Sequence, residues 1–326
     1  MSANGDGGSE RLPKAHLHLH LEGAARPATL VEYARRRDVP AASLEGFTDL
    51  AAFVVAYETA RDLIGSLDEL QRVAREVAED ALEQGCVWIE VHFAPFSYGG
   101  RLGREEALLE AVLAGLAEPQ GDATGAAVVL AVNRAHGTDL GRRTLVLAER
   151  YAGRGVVGLG LVGDERHPAR PYAPLFARAR EAGLLAVPHA GETQGPHAVL
   201  EALQLLRADR IGHGITATRD PGLLEQLADT QRCLDVCPTS NLRLGVAEDW
   251  SAHPIHRLVA AGVAVSLNSD DPTFFGSDVA QEYATAAAHG LPVAAIAAHS
   301  LRHSAAPDHV RGPALRALAS QTTPAT

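Results

Sequence analysis

Apolar residues along the chain alternate between short uninterrupted runs and longer segments in which they recur every three or four positions. Short runs rich in Val, Ile and Leu are typical of parallel strands that are buried on both faces. The pattern predicts eight such strands, at Ala15–Leu21, Cys86–Phe93, Ala126–Val132, Val156–Leu161, Leu184–Pro188, Arg210–Ile211, Arg232–Val236 and Val263–Leu267. Of these, Arg210–Ile211 is the weakest prediction, because two residues are too few to show a period.

The segments between the runs have the composition and apolar spacing of amphipathic helices. The predicted helices include Leu67–Gln84, Arg104–Leu116, His197–Leu206, Pro221–Ala228 and Ile255–Ala261. Gly85, Gly183 and Gly262 each stand between a helical pattern and the next strand, where a left-handed C-cap is expected. Eight strand–helix repeats predict an α/β fold, a (β/α)8 TIM-type barrel.

A helical insert at Leu44–Gly65 follows the first strand and its helix, and we expect it to cover the barrel mouth as a lid. The competing architecture, an open doubly wound sheet, needs a Gly-rich phosphate loop after a strand. Neither a G-x-G-x-x-G in that context nor a P-loop is present. The sequence therefore predicts one barrel domain over residues 12–320, with residues 1–11 and 321–326 as flexible tails.

Composition narrows the class of protein. Forty acidic against 29 basic residues give a formal net charge of −11, which argues against a nucleic-acid-binding role. No apolar run approaches the ~18 residues of a membrane-spanning helix, and the polar N-terminus lacks the apolar core of a signal peptide. Three cysteines are too few for a disulfide framework. We therefore expect a cytoplasmic protein without membrane or nucleic-acid partners; no pattern in the sequence indicates an oligomeric state.

The first predicted strand contains three histidines at alternating positions: His16, His18 and His20. Because side chains alternate faces along a strand, the three imidazoles are expected on one face and the intervening leucines on the other. A buried row of imidazoles is costly unless it meets a partner such as a metal ion. The turn at Glu22-Gly23 places this row at the carboxyl end of the strand, which is the active-site face of a (β/α)8 barrel. An exposed His-rich strand is the less favoured interpretation.

Three further strands end in residues of the same kind. The segments are His189-Ala190-Gly191-Glu192, Gly212-His213-Gly214 and Asn268-Ser269-Asp270-Asp271-Pro272. Each is a weak signal alone, but the strand ends of a barrel converge on one mouth. Imidazoles together with a carboxylate form a mononuclear site with mixed nitrogen and oxygen ligands, which suits zinc or a similar divalent ion. Two adjacent buried aspartates also need a cation or a hydrogen-bond donor if both are to stay ionised.

Taken together, these motifs resemble the adenosine/adenine deaminase branch of the amidohydrolase superfamily. The matching segments are Leu12-Pro13-Lys14, His18-Leu19-His20-Leu21-Glu22-Gly23-Ala24, His189-Ala190-Gly191-Glu192, Gly212-His213-Gly214, Cys237-Pro238-Thr239-Ser240-Asn241 and Ser269-Asp270-Asp271-Pro272. They occur in the family's order and cover nearly the whole chain. The family fold is a (β/α)8 barrel, in agreement with the strand count.

The resemblance implies a role for each matched residue. It makes one divalent ion, zinc in expectation, the cofactor, with His18, His20, His189 and Asp270 as ligands. His213 and Asp270 position a water and help to deprotonate it. Glu192 protonates purine N1, so burial is expected to raise its pKa.

The resemblance also implies a set of substrate contacts. Asp271 holds purine N7 and the backbone N–H of Gly163 holds N3, while His20 and Glu22 lie beside the substrate. His16 stands where relatives usually have glutamate and is expected to pack below the site as a non-ligand. His92 either lines the pocket or is a satisfied barrel residue, and His253 is interpreted as structural.

The implied activity is hydrolytic deamination of a 6-aminopurine nucleoside, with adenosine as the leading substrate. Glu22 replaces the aspartate usual in adenosine enzymes and, like Phe274-Phe275-Gly276, is more similar to adenine and aminodeoxyfutalosine deaminases. The Cys-Pro-Thr-Ser-Asn loop is more typical of nucleoside-specific relatives, whereas Gly160 departs from them. Adenine, aminodeoxyfutalosine and methylthioadenosine therefore stay open as alternative substrates.

Two other classes of function are disfavoured. Phosphotriesterase-like and dihydroorotase-like amidohydrolases usually hold two metals bridged by a carboxylated lysine at the end of the fourth strand. The single lysine of this chain is Lys14, directly before the first predicted strand, and the fourth predicted strand has none. A non-enzymatic binding protein on this scaffold is expected to have lost part of the ligand set, and here every ligand position is filled.

Overall fold

Eight parallel strands form the centre of the computed structural model, which describes residues 12–45, 47 and 50–322. The strands are β1 (Lys14–His20), β2 (Cys86–Phe93), β3 (Gly125–Asn133), β4 (Val156–Val162), β5 (Leu185–Ala190), β6 (Arg210–His213), β7 (Cys233–Val236) and β8 (Val265–Leu267). Each strand pairs with the next one in the chain. A bridge between Leu19 and Asp270 joins β1 to the residues after β8. The prediction of a TIM-type barrel is confirmed.

Helices surround the barrel and follow the strands in alternation. They are α1 (Pro27–Arg36), α2 (Leu50–Leu63), α3 (Leu67–Glu83), α4 (Glu105–Ala117), α5 (Gly137–Tyr151), α6 (Ala173–Glu181), α7 (Pro196–Gln204), α8 (Pro221–Thr230), α9 (Pro238–Arg243), α10 (Ile255–Ala260), α11 (Pro272–Phe275), α12 (Val279–Ala288), α13 (Val293–His303) and α14 (Asp308–Thr322). Each of the eight predicted strands and of the five predicted helices named with them lies within two residues of an observed one at each end. The helix of the predicted insert, α2, begins at Leu50 instead of Leu44. Among the described residues, no helix has both the length and the apolar character needed to cross a bilayer.

Local signals in the sequence account for where several helices begin and end. Ser66 accepts a hydrogen bond from the backbone N–H of Glu69 and so caps α3, and Asp278 forms a capping box with Gln281 at the start of α12. Gly85, Gly183 and Gly262 have φ values of 82°, 79° and 78°. The predicted left-handed conformation after these helices is confirmed.

The helical insert lies over the barrel mouth. Its helix α2 packs through Phe53 against α11, with the Phe53 ring stacked on Phe275 at a centroid separation of 5.0 Å. Part of the predicted insert, residues 46, 48 and 49, lies outside the described residues, as do residues 1–11 and 323–326 of the predicted tails. Helix α14 reaches Thr322, which places residues 321–322 in a helix and not in a tail.

The interior of the barrel below the strand ends holds a buried ionic network. The guanidinium of Arg210 contacts Glu90 Oε2 at 2.5 Å and Asp235 Oδ2 at 3.0 Å. Glu90 also accepts hydrogen bonds from the Trp88 indole at 2.9 Å and the Ala305 backbone N–H at 2.6 Å. Because each charge in this layer is paired, the barrel can bury it beneath the residues at its mouth.

The expectation that His16 shares a face with His18 and His20 is wrong. The register of β1 against β2 shifts between His16 and Leu19, which breaks the simple alternation. His16 and Leu19 together line a cavity of about 290 Å³ beneath α3, on the outer side of the strand. There His16 Nε2 accepts a hydrogen bond from the Ser269 backbone N–H at 3.1 Å. His16 is therefore kept away from the barrel mouth.

Candidate active site

The ends of β1, β5 and β8 bring four of the sequence-predicted residues together. Asp270 follows β8, and its Oδ1 lies 3.1 Å from His18 Nε2 and 3.2 Å from His20 Nε2. His20 Nε2 also lies 3.2 Å from Nε2 of His189, in β5. The four side chains approach one another from the ends of three strands, as a shared ligand requires.

These separations suit a metal ion. Ligand atoms about 2.0–2.2 Å from a tetrahedral metal lie about 3.3–3.6 Å from one another, close to the distances observed here. His18 Nε2 and Nδ1 and His189 Nδ1 are buried without a hydrogen-bond partner among the described residues. His213 groups with His18, His189 and Asp270, whereas His20 groups with Asp270 and Asp271. The Nε2 atom of His213 is 3.8 Å from Asp270, farther than that of His18 or His20. The donor set of three nitrogens and one oxygen therefore fits a single divalent ion.

Burial and mutual charge set the protonation of this cluster. Burial lowers the pKa of His18 and holds that of His189 well below its usual value, with the neighbouring histidines adding to the effect. Burial opposes ionisation of Asp270, but His18 and His20 outweigh it and hold its pKa well below the usual range. Burial is likewise outweighed at His20, whose pKa Asp271 and Asp270 raise to about 9. Its proton must leave before the nitrogen can bind a metal.

Two of the site residues adopt a backbone conformation that is rare outside glycine. His213 and Asp270 both have a φ of 61°, in the left-handed region. Strain of this kind persists where surrounding contacts hold it and is concentrated at functional sites. For Asp270, those contacts include the Ser240 hydroxyl, which donates to Oδ2 at 2.7 Å. Ser240 lies in the Cys-Pro-Thr-Ser-Asn segment, but the sequence alone predicts no role for it.

Glu192 faces the cluster from the loop after β5. Its Oε2 lies 3.8 Å from His213 Nε2, and its Oε1 is buried without a hydrogen-bond partner among the described residues. Burial raises the pKa of Glu192 to about 7, and the charge of nearby Asp270 adds to the rise, against the lowering influence of His213. The predicted direction of this shift is confirmed. A carboxyl group with that pKa can donate a proton near neutral pH.

A second carboxylate holds the backbone of that loop. Glu165 is buried and accepts hydrogen bonds from the backbone N–H groups of Gly191, Glu192 and Gln194, at 3.1, 2.9 and 3.1 Å. Arg134 donates to the carbonyl of His189 at the start of the same loop. Sequence reasoning missed both residues, because they follow β4 and β3 and reach the loop only in the folded barrel.

A cavity of about 130 Å³ opens above the cluster. Its lining includes His20, Gly163, His189, Glu192, His213, Asp270 and Asp271 from the predicted site, and also His92. His92 therefore lines the pocket, which is the first of the two interpretations that the sequence left open. Gly163 has a φ of 88°, and a Cβ there would lie 2.7 Å from Asn133 Oδ1, so glycine leaves its backbone open to the cavity.

Glu22 differs from the other predicted substrate contacts. It is buried beside the cavity, and both carboxylate oxygens accept hydrogen bonds: Oε2 from Tyr57 at 2.6 Å and Oε1 from Tyr98 at 2.9 Å. Tyr57 belongs to the lid helix α2, so Glu22 ties the lid to the barrel. The spacing of these residues along the chain gave no signal of this contact.

Comparison with known proteins decides the family. The sequence model of the family described as "Adenosine deaminase" matches residues 13–320. The chain belongs to the adenosine deaminase family. It is 43% identical to a Streptomyces coelicolor protein whose name provisionally assigns it as an adenosine/adenine deaminase, over 92% of this chain and 94% of that protein.

Two further similarities bear on the substrate of this family member. The chain is 40% identical to an aminodeoxyfutalosine deaminase of Streptomyces coelicolor, over 85% of this chain and 74% of that protein. It superposes on the crystal structure of an adenine deaminase from Arthrobacter aurescens with a TM-score of 0.86 and 28% identity, covering 95% of this chain and 99% of that one. Family and fold together make this protein a metal-dependent hydrolase that acts on C–N bonds in adenine-type deamination.

Proposed function

We propose that the chain, as a single deaminase barrel over residues 12–320, hydrolyses adenosine to inosine and ammonia. The observation that carries this proposal is the convergence of a metal-ligand set and a buried, proton-bearing Glu192 on one cavity at the barrel mouth. A divalent site alone serves many hydrolyses. A carboxylic acid facing it suits the protonation of a ring nitrogen, which a purine requires before C6 accepts a nucleophile.

His18, His20, His189 and Asp270 hold the metal in this proposal. Zinc is the proposed ion, because three imidazoles and one carboxylate form a donor set that zinc favours. The chemistry that zinc supplies in such a site is a water whose pKa falls to ~7, and so a hydroxide nucleophile at neutral pH. Burial lowers the pKa of His18 and His189, and so favours the uncharged imidazoles that bind a metal, which supports the assignment.

The protein residues then move protons around the purine. Glu192 donates its proton to N1, which makes C6 electrophilic. His213 and Asp270 orient the attacking water, and Asp270 receives a proton as the oxygen bonds to C6. Asp270 then passes its proton to the exocyclic nitrogen, and the bond between C6 and that nitrogen breaks. Ammonia leaves, C6 becomes a carbonyl carbon, and the proton of the C6 hydroxyl returns to Glu192. The 3.8 Å separations of His213 Nε2 from Glu192 and from Asp270 leave room for the reacting oxygen between the two carboxylates.

The remaining contacts orient the ring. Asp271 is proposed to donate a hydrogen bond to N7 from its protonated form, since burial and the charge of Asp270 raise its pKa well above the usual value. Its Oδ1 has no hydrogen-bond partner among the described residues. The backbone N–H of Gly163 is proposed to hold N3. The lining of the cavity also includes Ser97, Glu58 and Arg61, whose polar groups suit a ribose on N9.

Free adenine is the second candidate, favoured by the state of Glu22. Each of its oxygens already accepts a hydrogen bond from a tyrosine, so a ribose hydroxyl would have to share an oxygen with Tyr57 or Tyr98. The cavity of about 130 Å³ is also smaller than the ~300 Å³ at the low end of sites for drug-sized ligands. Both features suit a base without its sugar.

The test is a side-by-side assay of ammonia release and ultraviolet change on zinc-loaded protein. The compounds are adenosine, 2'-deoxyadenosine, adenine, methylthioadenosine and aminodeoxyfutalosine. A kcat/KM for adenosine above the others supports the leading proposal, and a preference for adenine supports the second. No ammonia from any of the five, with metal bound, would contradict the proposed function.

A further inference from the structure

A line of hydrogen bonds runs from the backbone of α10 to the catalytic histidine. The backbone N–H of Ile255 donates to His253 Nδ1 at 3.1 Å. His253 Nε2 lies 3.3 Å from Asn241 Oδ1, and Asn241 Nδ2 lies 3.2 Å from His213 Nδ1. The side chains of His253, Asn241 and His213 are all buried. This line contains two residues, His253 and Asn241, to which the proposed reaction gives no part.

The direction of every hydrogen bond in the line follows from its first member. A backbone N–H can only donate, so His253 Nδ1 accepts and has no proton. A neutral imidazole has one proton, which must then be on Nε2, and that group donates to the side-chain oxygen of Asn241. The Asn241 amide is thereby oriented with its NH2 group toward His213, where it donates to Nδ1. His213 Nδ1 is left without a proton, and the ring keeps its own on Nε2.

The environment of His253 supports the neutral form that this derivation needs. Burial lowers the pKa of His253 to about 4, with a further contribution from His256. An imidazolium there would present an N–H to the Ile255 N–H at Nδ1, and two donors would oppose each other. Both the burial and the contact therefore favour one tautomer.

We infer that His253 and Asn241 are positioning residues that fix His213 as the Nε2–H tautomer. This inference rests on the proposed function only for its catalytic consequence. His213 Nε2 lies 3.8 Å from both Glu192 Oε2 and Asp270 Oδ2, so the fixed proton points at the space between the two carboxylates. In that state His213 donates a hydrogen bond to the oxygen that attacks C6 and cannot take its proton. Asp270 is then the residue that receives the proton.

The test reads the tautomer directly. Zinc-loaded protein labelled with ¹⁵N in its histidine rings is examined by two-bond ¹H–¹⁵N correlation, with the His213 signals identified by their loss in His213→Gln. The wild type is expected to show a proton on Nε2 and none on Nδ1. Asn241→Asp replaces the donor with an acceptor of the same shape, and we expect it to place a proton on Nδ1.

A matched pair at His253 tests the relay from one residue farther away. His253→Gln still accepts from Ile255 and donates to Asn241, so it should keep the wild-type tautomer. His253→Glu can only accept, so the Asn241 amide should rotate and His213 should gain a proton on Nδ1. We expect kcat for adenosine to fall ~10²-fold or more in Asn241→Asp and His253→Glu, with KM little changed. The His253→Gln variant should have a kcat close to that of the wild type.

Two results would overturn the inference. One is a wild-type His213 with its proton on Nδ1. The other is an unprotonated His213 Nδ1 in Asn241→Asp or His253→Glu, when circular dichroism shows that the variant is folded. Because the spectra need no substrate, they decide the relay separately from the activity; wild-type protein that shows the expected tautomer but releases no ammonia would contradict the proposed function alone.

Discussion

The contact between Gly23 and Asp271 allows a sharp test of the site geometry. Gly23 lies in the turn after β1, and a Cβ built there would be 1.7 Å from Asp271 Oδ1, 2.6 Å from its Cγ and 2.8 Å from its Cβ. Rotation of the Asp271 side chain moves the first two atoms but leaves the third too close. The Gly23→Ala substitution therefore forces the backbone at Asp271 to move as well as its carboxylate.

The size of the effect follows from these distances. Unbonded atoms settle about 3.5 Å apart, so Asp271 Oδ1 must move by more than ~1.5 Å. Displacement of a substrate-positioning group by about 1 Å can cost ~10²-fold in rate. We expect Gly23→Ala to lower kcat/KM for adenosine by at least ~10²-fold, with a raised KM because Asp271 is proposed to hold N7.

The assay compares kcat/KM from ammonia release in the wild type, Gly23→Ala and Gly222→Ala, each with its melting temperature. Gly222→Ala is the control, because its Cβ meets only Asp220 Oδ1 at 3.5 Å, an ordinary contact. The control should keep full activity. A folded Gly23→Ala enzyme with kcat/KM close to the wild-type value would refute the role given to Asp271.

Three further predictions concern the buried carboxylates. Glu90→Gln should lower the free energy of unfolding in urea by about 3–5 kcal/mol, because it leaves Arg210 without one of its two buried charged partners. The control, Glu106→Gln, breaks a pair with the exposed Arg150 and should lower that free energy by less than about 1 kcal/mol. Equal losses in the two variants would contradict this prediction. Glu192→Gln should keep its metal, measured by elemental analysis, but lose ~10²–10⁴-fold in kcat, and a variant as active as wild type would exclude Glu192 as the acid. Because burial raises the pKa of Glu192 to about 7 and the protonated form is the active one, kcat/KM should fall toward tenfold per pH unit above that value, whereas a profile that stays flat to pH 9 would speak against it.

The barrel and the convergence of the strand-end residues could be predicted from the sequence for a physical reason, whereas the roles of those residues were implied by the resemblance. Buried parallel strands read as continuous apolar runs, and the carboxyl ends of barrel strands meet at one mouth. His189 and Asp270 could therefore be placed beside His18 from their positions after strands alone. The eight strands and the approach of these residues in the structure agree with that reasoning.

The features that could not be predicted from the sequence depend on contacts between residues far apart in the chain or on local irregularities of a strand. Strict alternation put His16 on the metal face, but a register shift in β1 turns it outward. The Tyr57 hydroxyl reaches Glu22 across 35 positions of sequence, and Arg210 reaches Glu90 across 120. Periodicity shows which face of an element is buried, and it contains no information on which polar groups meet there.

The relay behind His213 shows the same limit. Asn241 lies in the Cys-Pro-Thr-Ser-Asn segment, and the sequence alone predicts only a structural role for His253. Their part in the site depends on hydrogen-bond direction, which follows only once the Ile255 N–H is seen to donate to His253. The donor and acceptor of each of these hydrogen bonds can be assigned only from a three-dimensional structure.

The central claim is that one divalent ion, held by His18, His20, His189 and Asp270, is required for deamination. The most direct measurement is ammonia release from adenosine by chelator-treated protein as zinc is returned, with the bound metal counted per chain. We predict that activity rises with bound zinc and saturates at one ion per chain, and that His189→Ala neither retains the ion nor releases ammonia. Full activity of the metal-free protein, or saturation only at two ions per chain, would contradict the account.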